Sequence, residues 1–130
     1  MTNQEILDSA VALLCENETD GDVSDYERRT PYILANFCTQ NASLDALYRE
    51  AYGIGSELFT APVHVELSDE FSLCEVFSAA AVHYLAALLV LDENASMSDK
   101  FFSLHAEALT NIRSTLPATI HSITDRYGLN

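Results

Sequence analysis

A small all-α bundle is the fold class this sequence predicts, and three observations predict it. Gly and Pro are scarce, with four and three copies in 130 residues, which favours long regular elements over a loop-rich β fold. Three capping-box patterns, Thr2–Glu5, Ser24–Glu27 and Ser72–Glu75, are each followed by apolar residues at helical spacing. The hydrophobic content of 48% is enough for one packed core, and a chain of this length buries roughly two-thirds of its unfolded surface.

The elements follow in order. Thr2 caps a helix over about 3–15, with Ile6, Leu7, Ala10, Val11 and Leu14 on its apolar face. The polar stretch to Val23 contains the turn signal Asp20-Gly21. Ser24 opens a second helix over about 25–40, carrying Tyr26, Ile33, Leu34, Phe37 and Cys38. Pro31 lies too deep to be a first-turn proline, so it either kinks this helix or restarts it with Thr30 as cap. Asn41-Ala-Ser43 reads as a break, after which a short helix over 44–52 ends at Gly53.

Residues 54–69 read as an extended loop, in which the alternation of Val63, Val65 and Leu67 with His64 and Glu66 allows a short strand. Ser72 caps a helix over about 73–91 that is apolar almost all round, the mark of a central helix. Asp92-Glu-Asn94 is the turn to a last helix over about 96–114, which Pro117 closes. The expected core is Leu73, Phe77, Ala80, Tyr84, Leu88, Phe101, Leu104 and Ile112. Residues 1–117 thus form the helical domain, and 118–130 a tail with Ile120, Ile123 and Tyr127 at helix-like spacing.

Charge excludes some functions. Twenty Asp and Glu stand against six Lys and Arg, a net charge of −14. A nucleic-acid binder neutralises phosphates with a basic surface, and this chain has none to offer. The same argument excludes an anionic membrane surface. The run Val76–Leu91 is short for a membrane span and is bracketed by acids. The first residues carry no basic or apolar leader pattern, so no signal peptide is expected.

Catalytic and metal signatures are missing from the sequence. Cys15, Cys38 and Cys74 are widely spaced and form no CxxC pair, so packed, reduced thiols are expected. His64, His83, His105 and His121 are scattered, with no HExxH pattern. Gly53-Ile-Gly55 lacks the lysine and third glycine of a phosphate loop. No metal, no cofactor and no catalytic centre are therefore expected. The basic pair Arg28-Arg29 reads as a solvated helix face, or as a pair that steers a partner.

The order of elements resembles that of small bacteriophage and prophage head–tail connector proteins. The likeness rests on Leu67-Ser-Asp-Glu70, on Ala79–Asn94 ending in LLVLDEN, and on Phe101–Ile112 beginning FFSLHAEAL. The closing Ile123-Thr-Asp-Arg-Tyr-Gly128 is also similar to tails in that group. Tyr84-Leu-Ala-Ala87 departs from it, because a glycine is usual in this helix.

The resemblance implies a structural adaptor subunit that forms a homo-oligomeric ring below the portal, with portal and tail or stopper proteins as partners. DNA would pass through without specific binding, and no membrane is involved. The setting would be the bacterial cytoplasm during assembly, then the head–tail junction of the virion. Ile120, Ile123, Tyr127, Arg28 and Arg29 are the expected contact residues, the alternative for the tail being that it folds back on its own domain. A small acidic regulator that binds a basic partner or mimics DNA is the second reading. A small enzyme with an interhelical pocket is the third; it requires a convergent set of His, Tyr and acids that the sequence does not display.

Overall fold

The computed structural model describes residues 1–15, 23–55 and 65–116. Helix α1 spans Asn3–Cys15, α2 Val23–Ala51, α3 Ser78–Val90 and α4 Ala95–Ser114, with a 3₁₀ turn at Glu75–Phe77. The first capping box forms as expected: Glu5 N–H donates to Thr2 Oγ1 (3.1 Å), and Thr2 N–H donates to Glu5 Oε1 (2.8 Å). The next donors of α1 are met by a returning stretch of chain. Asn3 N–H bonds the Asp69 carbonyl and Gln4 N–H the Leu67 carbonyl, each at 2.9 Å. Among the described residues no strand forms; Thr2 and Glu70 make a single antiparallel bridge.

Helix α2 corrects the expected division at 41–43. It runs unbroken through both Pro31 and Asn41-Ala-Ser43, and at 29 residues is roughly 43 Å long. The residues that read as breakers instead bond the carbonyls of their own helix. Thr30 Oγ1 donates to Tyr26 O (2.6 Å), Thr39 Oγ1 to Ala35 O (2.9 Å) and Asn41 Nδ2 to Phe37 O (2.9 Å). Pro31 has no N–H for Glu27, but its own carbonyl accepts Val65 N–H at 3.2 Å. Gly53 ends the helix at φ +67°, with Ile54 N–H returning to Arg49 O (2.8 Å) and Gly53 N–H to Glu50 O (3.4 Å). Helix α2 also starts earlier than expected, so Ser24 lies inside its first turn.

The third capping box is likewise corrected. Glu75 does not reach back to Ser72. Both its oxygens accept the Met1 amino group, at 3.2 and 2.9 Å, and α3 proper begins only at Ser78. At the other end of the hairpin Asn94 caps α4, its Oδ1 accepting Met97 N–H at 3.0 Å.

Helix α3 is the central element, packed against all three other helices and most extensively against α4. Ala80, Ala81, Leu85, Ala86, Ala87 and Val90 are fully buried around its circumference. Its alanines let neighbours approach closely, and Ser98 Oγ of α4 donates to Ala87 O at 2.8 Å. Leu73, Phe77, Ala80, Tyr84, Phe101 and Ile112 are buried as expected. Two expectations are corrected: Leu88 is only half-buried, and Leu104 is 37% exposed. The buried stripe of α4 runs through Ser98, Phe101, Leu109 and Ile112, and Leu104 falls roughly 60–140° away from it around the helix.

Candidate functional site

The end of the bundle where α2 and α4 finish carries exposed apolar side chains. Tyr52 (48% exposed), Ile54 (53%) and Val76 (38%) stand out from it. Tyr52 Oη donates to the Thr115 carbonyl at 2.7 Å, which ties the end of α2 to the end of α4. Beside it lies a cleft of about 240 Å³ lined by Val76, Ala108, Asn111, Ile112 and Thr115, none of them charged among the described residues. A second cleft, about 370 Å³, lies between α1 and α2 and is lined by Gln4, Leu7, Asp8, Val11, Ala12 and Glu27. Only the second presents carboxylates.

Beneath the apolar end sits a buried ionic node. Asp45 is 1% exposed; its Oδ2 accepts Arg49 Nε–H and its Oδ1 accepts the Cys74 backbone N–H, both at 2.8 Å. Burial pushes the Cys38 thiol up to about 12, and the Asp45 charge adds to that. Burial also pushes Cys74 up to about 11, with a hydrogen bond to Asp45 and the Asp45 charge adding to the shift. These thiols are packed and protonated, not nucleophiles.

A third cluster joins α2, α3 and α4. Asn36 Nδ2 (2.8 Å) and Gln40 Nε2 (3.4 Å) donate to Tyr84 Oη. The Tyr84 ring lies 5.1 Å from that of His105 and 5.5 Å from Phe37, and His83 stacks on Phe101 at 6.2 Å. His83 Nδ1 and His105 Nε2 are buried and have no hydrogen-bond partner among the described residues. Burial lowers the pKa of both rings, and the charges of His83 and Arg113 lower that of His105 further. Nothing in the sequence pairs these histidines; α3 and α4 do so by packing antiparallel.

The structure separates the expected contact residues. Arg29 is part of the fold: its Nη2 donates to the Leu88 carbonyl at 2.9 Å, in the last turn of α3, and its Nη1 meets Asp25 at 3.4 Å. Arg28 is exposed and pairs with Asp25. Ile120, Ile123 and Tyr127 lie outside the described residues, as do His64, His121 and the Cys15 side chain. The missed residues are Tyr52, Ile54 and Val76, which read as the end of a short helix, as loop and as a face of the apolar helix; Gly53 marked only where the chain turns.

Among the described residues no three His, Cys, Asp or Glu side chains are grouped to hold a metal ion. No described helix is long and apolar enough to cross a membrane. Comparison with protein-family models, curated proteins and solved structures gave no match.

Proposed function

We propose that this chain acts by assembling with other proteins, as a structural subunit of the phage or prophage head–tail connector kind. The observation that carries the reading is the set of exposed apolar side chains Tyr52, Ile54 and Val76 beside a cleft whose described lining carries no charge. In a chain of net charge −14, such a surface is suited to a protein partner and not to nucleic acid or an anionic headgroup. The resemblance in Leu67–Glu70, Ala79–Asn94 and Phe101–Ile112 supplies the narrower assignment: a ring below the portal that meets portal and tail or stopper proteins. The acidic balance fits a channel wall that must let DNA slide, because carboxylates repel phosphates.

The test is co-expression with a portal protein from the same genome, followed by purification on the portal. A stable complex that Tyr52→Glu and Ile54→Glu weaken is the expected result. Failure to bind the portal, together with selective retention of a basic protein by the free monomer, would establish the acidic-regulator reading instead.

A further inference from the structure

Among the described residues nothing covers a second face of helix α4. Met97, Lys100, Leu104, Glu107, Asn111 and Ser114 follow one another at alternating spacings of three and four, which sets them along one face of the helix. Lys100, Leu104, Glu107, Asn111 and Ser114 are exposed, and Met97 is half-buried. Lys100 is the only lysine of the chain. Among the described residues no carboxylate lies within 4 Å of its ammonium.

We infer that this seam is a self-association face, on which α4 of one molecule packs antiparallel against α4 of a second copy around Leu104. The charge pattern argues for that occupant. Lys100 lies four residues before Leu104 and Glu107 three residues after it. An antiparallel pair centred there brings each Lys100 to the level of the partner's Glu107, so two ion pairs form by symmetry. A two-fold axis makes one patch its own complement.

The seam holds one Lys and one Glu and is neutral, whereas the whole chain carries −14. Two molecules that repel through most of their surfaces can meet here without like charges opposed. A basic partner would gain more from the carboxylate-lined cleft between α1 and α2 than from this seam. Leu104 explains itself the same way: it is an apolar side chain at the centre of a solvent-facing stripe, covered when a second copy arrives. A two-fold contact closes on itself and builds no ring, so it is a different contact from that of the proposed function, although Asn111 borders both surfaces.

The experiment is sedimentation of the full chain over a concentration series, for the wild type, Lys100→Glu, and the swap Lys100→Glu with Glu107→Lys. The wild type is expected to be a dimer. Lys100→Glu should weaken the dimer by about tenfold or more, and the swap should restore it. Leu91→Glu, at the turn between α3 and α4, should leave it unchanged. Circular dichroism establishes that each variant is folded. A wild type that stays monomeric overturns the inference, while portal binding by that monomer leaves the proposed function standing. A Lys100→Glu dimer of wild-type affinity overturns it, as does a swap that restores nothing.

Discussion

The Asp45 carboxylate accepts the Cys74 backbone N–H at 2.8 Å, joining the long helix α2 to the entry of α3. The same carboxylate takes Arg49 Nε–H, so one buried acid serves two elements. Replacing it with Ala leaves the Cys74 N–H without this acceptor and takes the carboxylate away from Arg49 Nε. We expect Asp45→Ala to cost about 1.5–3 kcal/mol, the range for hydrogen bonds to a charged group, and Asp45→Asn to cost less because an acceptor remains. Urea unfolding midpoints check this, and equal stability of all three proteins would disprove the node.

Phe77 and Leu104 both read as core in the sequence, and the structure parts them. Phe77 is fully buried and meets Tyr48 edge-on at 6.4 Å. Phe77→Ala should therefore cost about 3–5 kcal/mol, the transfer loss plus a cavity. Leu104→Ala removes a side chain that is 37% exposed and should change monomer stability by no more than about 0.5 kcal/mol. Thermal melts at low protein concentration make the comparison. Similar losses for the two variants would place Leu104 in the core after all.

How much of this was legible depended on how local each signal is. Thr2 and Glu5 satisfy one another within four residues, so the sequence alone places the start of α1. Gly53 is local in the same sense. Ser72 and Glu75 carry the same pattern, but Glu75 finds the Met1 amino group, a competitor 74 residues away. Asn41 was read as a break because its amide competes with the backbone. Buried against a continuous helix, that amide bonds Phe37 O and the helix goes on. The Tyr84–His105 contact and the apolar end around Tyr52 arise between elements, and no spacing in the sequence encodes them.

The histidine pair gives the fold a sensitivity to acid. Burial lowers both folded-state pKa values below the ordinary value, near 6.5. The unfolded chain then binds more protons in this range. Stability is complete above about pH 6.5 and falls as pH drops from there through the folded-state values. A melting temperature that declines between about pH 6.5 and 5, above the range where ordinary carboxylates titrate, is the expected outcome. His83→Gln with His105→Gln should flatten that decline. An unchanged slope in the double variant would assign it to other groups.

Arg28 and Arg29 are neighbours in the sequence with different duties in the structure. The Arg29 guanidinium bonds the Leu88 carbonyl, one of the last carbonyls of α3, where a cation also meets the negative end of the helix. About a third of Arg29 still sees water, so Arg29→Ala should cost about 1.5 kcal/mol, the low end of the range for a charged donor. Arg28 is 74% exposed and paired only with Asp25 one turn away, so Arg28→Ala should change stability by less than about 0.5 kcal/mol. Denaturant midpoints separate the two. The same pair of variants then bears on assembly. A loss of portal binding by Arg28→Ala at wild-type stability would mark Arg28 as a contact residue. A loss seen only in Arg29→Ala, and only as far as its stability falls, would mean that the pair serves the fold and that the contact lies elsewhere. Because Arg29 is held against α3 and Asp25 and is two-thirds covered while Arg28 is exposed, the expected outcome is that any direct contact made by this pair comes from Arg28.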